Sequence, residues 1–422
     1  MLILSRTMGK ICAEEHANPR ATNQDAGKEA DRLHASLSSF ITWVRRRFDL
    51  FDLLGRVPDG RDPRKTRIPL SAILLAVMAM FWLGLPSLRA LDDRLKRSSA
   101  LQRLLALVGW PASISDDSFA EALERLGMEG LRQAFYRIAK REIKRWRAGR
   151  FRKCALARRL KEIIPRGSSG LVSRLLVAID GHELFCTERR SCKRCLTRKV
   201  KRKIGNQIVE VEERYHRIVS AQWIGTHPAI VLDFEEFEPG ENELYPAYRL
   251  VERLSSVYGY DIGILVADAL FDNEPFRHLA RTAGYRTVIR QKDPNRKLAI
   301  LCQHNIDYRD SDRQSPDSRH LDPYTKKKYE CWVELAWPGC KGERYIEVRR
   351  TSPTPKGQKE TINLGAIVTD LHFDEAPAVA VAMLMEARWE IGASSQGRIT
   401  QGVQVPPRPR DSRPRSLEGA VA

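Results

Sequence analysis

The chain of 422 residues carries 72 Lys and Arg against 53 Asp and Glu, which gives a net charge of +19. Such a surplus attracts polyanions, while 42% hydrophobic residues exclude a disordered basic tail and predict two or three domains with a sizeable core. Eight cysteines at scattered spacings, without a secretory pattern at the start, predict a reducing, intracellular compartment and no structural disulfides.

The first part of the chain predicts helices. Residues 1–38 are polar and without periodicity, so we expect a disordered extension there, followed by a helical, basic DNA-binding region over residues 39–170. The apolar stretch Pro69–Leu88 is short for a bilayer span and has basic flanks, which favours a buried helix or helix pair over a membrane segment. Ser113 or Ser115 is the candidate N-cap of a later helix.

The segment Arg137–Arg166 has a strong basic bias, with thirteen Lys and Arg and two acids. Such a run is either a solvated helix face or a surface for the DNA backbone, and the net charge of the chain favours DNA. The residues predicted to contact phosphates are Arg141, Lys144, Arg145, Arg147 and Arg152.

Beyond this segment the pattern changes to short apolar runs that later alternate with helical segments. It predicts a mixed α/β sheet over residues 171–292, completed by residues 371–392. Residues 293–370 predict a small antiparallel β insertion, and a last helix is expected to begin near Asp374. Residues 393–422 contain four prolines and no aromatic residue, so we expect them to be disordered.

Two of the apolar runs deliver an aspartate at the end of a predicted strand. Asp180 follows LLVAI, and Asp268 follows IGILVA 88 residues later. A strand-end aspartate on its own commonly caps a turn, but two of them in so basic a chain predict a metal site for phosphodiester chemistry. Such chemistry needs carboxylates on rigid elements that hold Mg²⁺ ions about 3.5–4 Å apart. His182 and Glu183 are conceivable further ligands.

The segments that carry these aspartates, AIDGHEL and LVADALF, together with ERYHRIVSAQWIG, resemble the core of bacterial insertion-sequence transposases of the DDE type. The resemblance implies an RNase H-like mixed sheet flanked by helices, with an antiparallel β insertion and an N-terminal helical domain. It also implies that Asp180 and Asp268 are catalytic ligands of Mg²⁺ or Mn²⁺. The implied partner is double-stranded DNA, namely terminal inverted repeats and target, bound by a homodimer in the bacterial cytoplasm at the nucleoid and without a membrane.

In the subgroup with a β insertion, the last helix carries a tyrosine, two residues, an arginine, three residues, the catalytic glutamate, six residues and a lysine. Arg388 matches the arginine of this pattern, whereas Met385, Gly392 and Ile399 stand at the other three positions. All four positions fall on one helix face. The resemblance therefore assigns a site role to Arg388 and expects the third carboxylate at Gly392, where it is absent.

Nearby acids do not replace that glutamate in the predicted helix. Glu390 and Glu386 are rotated from position 392 by about 200° and about 240°. Because the match ends at Ile391, we interpret the chain as a frameshifted or truncated transposase whose DNA cleavage and strand transfer are impaired. A non-catalytic DNA-binding remnant and a metal-dependent nuclease outside transposition are the alternatives.

A further motif, Cys192 and Cys195, lies in a basic run with Cys186 before it and His216 beyond it. A single CxxC is compatible with a zinc site or with unligated thiols in a basic hairpin. Arg194 and Arg198 of the same run are predicted to contact DNA near the active site.

Overall fold

In a computed structural model of the protein, the described residues are residue 46 and residues 49–85, 87–110, 112–149, 155–164, 173–188, 192–204, 207–226, 230–291, 316–334, 342–354 and 358–388. The predictions made for residues 1–38 and 393–422, for Arg152 and for Gly392 fall outside these residues.

The helices lie in two groups along the described chain. Seven precede the first strand: α1 (Leu50–Gly55), α2 (Leu70–Leu83), α3 (Leu88–Arg97), α4 (Ser99–Ala106), α5 (Asp116–Glu124), α6 (Met128–Arg147) and α7 (Ala155–Ile163). Three more follow within or after the sheet: α8 (Leu244–Tyr258), α9 (Glu274–Thr282) and α10 (residues 378–388).

Helices α1 to α5 share one hydrophobic core. Helix α2 is buried there, through side chains such as Ile73 and Leu75, because the apolar residues occur all around it. This confirms the buried helix predicted for the apolar stretch, and no helix in the described ranges is long and apolar enough to cross a membrane. Ser115 caps α5 by accepting a hydrogen bond from the main-chain N–H of Ser118. Of the two candidate caps, Ser113 and Ser115, the structure thus selects Ser115.

All ten strands in the described residues belong to one mixed sheet, so the predicted α/β class with a mixed sheet is confirmed. Its order is β2-β3-β1-β5-β6-β10-β9-β8-β7, and β4 pairs with β3 outside this path. The strands are β1 (Leu175–Thr187), β2 (Leu196–Ile204), β3 (Gln207–Trp223), β4 (Ile230–Glu236), β5 (Ile262–Ala267), β6 (Arg286–Arg290), β7 (Ser318–Leu321), β8 (Lys328–Glu334), β9 (Arg344–Pro353) and β10 (Lys359–Thr369).

Strand β1 is central in the sheet and has an antiparallel neighbour on one side and a parallel neighbour on the other. It runs antiparallel to β3 and parallel to β5, and β5 runs parallel to β6. The first five residues of β1 are buried, as expected for a strand covered on both faces. Leu175, Val177 and Ile179 pack on the face that carries α6, α8 and α9, whereas Leu176 and Ala178 pack on the face that carries α7 and α10.

The strands expected between residues 293 and 370 are antiparallel, and they extend the main sheet instead of forming a separate one. Strand β10 pairs with β6, with Val368 opposite Ile289, and β9, β8 and β7 follow outward. The four cysteines in the described residues are free.

Candidate active site

Asp180 and Asp268 lie side by side at the centre of the sheet. Ile179 of β1 pairs with Ala267, the last residue of β5, in parallel register. Asp268 therefore follows the end of its strand as predicted, whereas Asp180 lies within β1, which continues to Thr187 because its second half pairs with β3. Neighbouring strands are about 4.8 Å apart. Asp268 is fixed by the main-chain N–H of Leu270, which donates to its Oδ1 at 2.9 Å. The two aspartates separated by 88 residues in the sequence are thus brought together.

Arg388 of α10 is the third predicted residue at this place. Its Nη1 lies 3.5 Å from Asp180 Oδ1, and its side chain is buried. Burial raises the pKa of Asp180, the positive charge of Arg388 opposes this shift, and the negative charge of Asp268 adds to it. The arrangement is therefore a half-buried pair of acids with the guanidinium of Arg388 beside Asp180.

The two conceivable further ligands on β1 differ in their surroundings. His182 is half-buried on the same face as Asp180; burial lowers its pKa and Asp180 raises it. Among the described residues, its Nε2 has no hydrogen-bond partner although the atom is buried. Glu183, in contrast, accepts from Arg198 at 2.7 Å. His182 faces the site, and Glu183 is held by an ion pair.

Glu243 is a further acidic residue near the aspartates, and it was not predicted from the sequence. It precedes α8, is buried, and accepts from Arg217 Nη2 at 2.8 Å. Burial raises the pKa of Glu243, Arg217 lowers it, and the charges of Asp268 and Asp180 raise it further. A Cβ on Gly181 would lie 2.1 Å from Glu243 Oε1, so this glycine makes room for the carboxylate on the face of β1 opposite to the Asp180 side chain.

Glu386 of α10 is engaged far from this group of acids. It accepts hydrogen bonds from Lys327, Tyr329 and Arg350, the last at 2.6 Å. These partners belong to the β7–β8 hairpin and to β9. The rotation of Glu386 from position 392 predicted that it does not replace the missing carboxylate, and its position in the structure agrees with that prediction.

The basic residues predicted to contact DNA lie mainly on α6. Helix α6 buries Tyr136, Ala139 and Ile143 against the sheet. Its opposite, exposed face carries a stripe of basic side chains at helical spacing, which we call the basic stripe. The basic stripe consists of Arg137, Lys140, Arg141, Lys144 and Arg147.

Two members of the basic stripe, Arg137 and Lys140, were not predicted, although their four-residue spacing from Arg141 and Lys144 was the available signal. Arg145, which was predicted, is half-buried and lies off this stripe. Arg141 pairs with Asp49 at 2.5 Å, and Arg147 pairs with Asp261. A phosphate at these two positions would have to compete with a carboxylate.

The predicted DNA contacts of the second basic run are also ion-paired. Arg194 lies 3.4 Å from Glu236, and Arg198 pairs with Glu183 and Glu213 while its guanidinium covers the ring of Tyr215. Strand β2, which is basic, therefore pairs with an acidic stretch of β3.

Comparison with models of known protein families gives no match, and comparison with curated proteins gives no significant one. The chemistry of the site is the remaining guide to function. Asp180 and Asp268 offer hard oxygen ligands, which Mg²⁺ prefers. The two half-buried carboxylates lie next to each other, and a divalent cation between them would offset the repulsion of their negative charges, so these residues fit such an ion.

Proposed function

We propose that the chain is a DNA-binding protein of the DDE-transposase type, with impaired capacity for DNA cleavage and strand transfer. The observation that carries this proposal is the placement of Asp180 on β1 and of Asp268 directly after the adjacent parallel strand β5, with Arg388 of the last described helix beside Asp180. These are the three residues to which the resemblance assigned a site role.

The layout of the sheet supports an RNase H-like core as part of this proposal. Strands β1, β3 and β4 form an antiparallel set, and β5 and β6 add parallel strands that are reached through α8 and α9. The antiparallel strands β7 to β10 precede α10, where the resemblance expects a β insertion. Helices α1 to α5, with their own core, would be the N-terminal helical domain.

In this proposal, Asp180 and Asp268 hold Mg²⁺ or Mn²⁺. When bound, the ion would polarise a phosphodiester and favour deprotonation of the attacking water or 3′-OH. Arg388 orients Asp180 and stabilises its ionised form, and the Leu270 N–H orients Asp268. Glu243 increases the negative potential at the site, while its own carboxylate is held by Arg217.

The impairment follows from the number of ligands. Position 392, where the resemblance expects a glutamate, is glycine, and Glu386 is engaged with Lys327, Tyr329 and Arg350. Two carboxylates hold a pair of ions poorly and stabilise the developing charge less well than three. DNA binding does not depend on that carboxylate, because it rests on the basic surface.

The proposed partner is double-stranded DNA, bound as terminal inverted repeats by a homodimer at the bacterial nucleoid in the cytoplasm. The net charge of +19 and the basic stripe support a polyanionic partner.

The test uses the full chain and DNA fragments that end in the repeats flanking its gene. We expect preferential binding to these ends and weak Mg²⁺-dependent cleavage that disappears in Asp180→Asn and in Asp268→Asn. Asp374→Asn is the matched control, because Asp374 is exposed and pairs with His372. Binding without preference for the ends would contradict the proposal, and cleavage without such preference would identify a nuclease of another role.

The gene itself provides a second test of the impairment. If the chain is a frameshifted copy, one of the other two reading frames just beyond codon 391 encodes a glutamate followed seven codons later by a lysine. Absence of this pair from both frames would rule out the frameshift.

A further inference from the structure

A second group of metal-ligating side chains lies away from the aspartates. Cys192 and Cys195 occupy the turn that leads into β2, and His216 lies on β3. Their ligand atoms all lie within 4.8 Å of one another, and no other group of this kind occurs in the described part of the chain. Nothing in the proposed DNA chemistry uses these residues.

The three distances within this group match a face of a zinc tetrahedron. The two sulfurs are 3.6 Å apart, and His216 Nε2 lies 3.2 Å from Cys192 Sγ and 3.4 Å from Cys195 Sγ. Tetrahedral Zn²⁺, with bonds of about 2.3 Å to sulfur and about 2.0 Å to nitrogen, separates two sulfurs by about 3.8 Å and a sulfur from a nitrogen by about 3.5 Å. The side chains are thus arranged around a point that a zinc ion would occupy.

The backbone holds the two cysteines in place without the ion. The N–H of Cys195 donates to the carbonyl oxygen of Cys192 at 3.2 Å and closes the turn. The N–H of Cys192 donates to Cys195 Sγ at 3.1 Å. An N–H aimed at sulfur is the kind of outer contact that supports a metal-bound thiolate.

The third cysteine of the motif, Cys186, is directed to the other side of the sheet. Cys186 pairs with Tyr215, whereas Phe185 pairs with His216, and consecutive residues of a strand point to opposite faces. The contacts of Cys186 confirm this direction, since Arg198 donates to its sulfur at 3.8 Å. Cys186 therefore belongs to the face of Arg198 and provides a matched control thiol.

The site is separate from the aspartates but lies on the same strand β3. Ser220 of β3 is opposite Asp180, and His216 is four residues away on the same face, about 13 Å along the strand. An ion at this place would join the Cys192–Cys195 turn, with its basic residues Lys193 and Arg194, to the strand beside the candidate active site.

We propose that Cys192, Cys195 and His216 bind one Zn²⁺ ion that fixes this basic turn to β3, with solvent as the fourth ligand. Soft thiolates with one imidazole select zinc over magnesium. On binding, each cysteine loses its thiol proton to solvent and His216 binds through neutral Nε2, so no oxidant or reductant is needed. This proposal does not depend on the proposed DNA activity.

The first experiment measures metal content in the full-length protein, purified under reducing conditions and titrated with Zn²⁺ or Co²⁺ alone. Because the chain has eight cysteines, the readout is the difference between variants. We expect Cys195→Ser and His216→Ala each to lose about one equivalent of zinc and the absorption of a tetrahedral Co²⁺–thiolate site. Cys186→Ser should keep both.

The second experiment uses the unmodified chain, so it does not depend on the folding of a variant. Thiol alkylation followed by mass spectrometry should show that Zn²⁺ protects Cys192 and Cys195, that a chelator removes the protection, and that Cys186, which is also exposed, reacts equally in both states. Equal reactivity of all three thiols with and without zinc would overturn the proposal. A Cys192–Cys195 disulfide that persists in reducing buffer and excludes the metal would overturn it as well.

Discussion

Gly181 sets how closely the carboxylate of Glu243 approaches strand β1. A Cβ at this position would lie 2.1 Å from Glu243 Oε1 and 2.7 Å from its Cδ. The carboxylate is buried and bonded to Arg217, so it does not move away without losing that partner. The absence of a side chain at position 181 is therefore a condition for the position of the Glu243 carboxylate.

We predict that Gly181→Ala displaces the carboxylate of Glu243 from Arg217 and destabilises the protein by about 1–3 kcal/mol, since a buried charge loses its hydrogen-bonded partner. Urea unfolding followed by circular dichroism gives the free energy of unfolding. Gly55→Ala is the matched control because a Cβ there meets nothing within 4 Å. Equal stability of the two variants would mean that Glu243 has room to adjust.

The residues of the site differ in how far the sequence predicts them. Asp180 and Asp268 stand at the ends of continuous aliphatic runs, and such runs predict central strands whose ends meet at one edge. Arg388 was found only through its resemblance to a family pattern. Glu243 has no such pattern, because its loop places it beside Gly181 only after α8 has packed on the sheet; the glycine following Asp180 was the one local sign of a close approach.

At the level of secondary-structure elements, α10 is attached to the outer strands through Glu386. Burial raises the pKa of Glu386, but the ammonium of Lys327, the hydroxyl of Tyr329 and the guanidinium of Arg350 outweigh this and leave the pKa below its ordinary value of 4.5. A carboxyl whose pKa is lowered in the folded state stabilises that state above its unfolded pKa. The stabilisation is lost as the pH falls through the folded pKa.

We predict that Glu386→Gln lowers the free energy of unfolding by about 3–5 kcal/mol at pH 7, because Lys327 and Arg350 keep their charges without a buried partner. The difference between the variant and the unmodified chain should shrink as the pH falls below about 4.5. Urea unfolding at a series of pH values measures both effects. Glu360→Gln, on the exposed part of β10, should change stability by less than about 0.5 kcal/mol at every pH.

Strand β2 shows why the alternation of apolar residues does not reveal every strand. Strand β2 reads LTRKVKRKI, in which apolar and polar residues do not alternate. It pairs with β3 on one side and forms the edge of the sheet on the other. Its cross-strand partners include Glu213 opposite Arg198 and Glu210 opposite Lys201. Opposite charges across the pair stabilise the strand, and this contribution is visible only when the partner is known.

In the molecule as a whole, less of the positive charge is available to a polyanion than the composition indicates. Many basic side chains are paired with acids, including Arg198 and Arg202 on β2 and Arg141 on α6. Helix α6 nevertheless carries the basic stripe on the side opposite to Tyr136 and Ile143, so part of the positive charge is concentrated on one face of this helix. The sequence predicted the charge of this helix, but the fold decides which of its residues face solvent.

If the basic stripe contacts the DNA backbone, each phosphate contact releases a counterion. The logarithm of the binding constant then falls linearly with the logarithm of the salt concentration. We predict that Lys144→Gln reduces the magnitude of that slope by about 1 and weakens binding to specific and unrelated DNA alike. Fluorescence anisotropy over a range of salt concentrations measures the slope. Lys96→Gln is the matched control, since Lys96 pairs with Asp92 on α3, and it should leave the slope unchanged. Equal slopes for the two variants would place the DNA on another face, and a loss confined to specific ends would assign Lys144 to base recognition instead of phosphate contact.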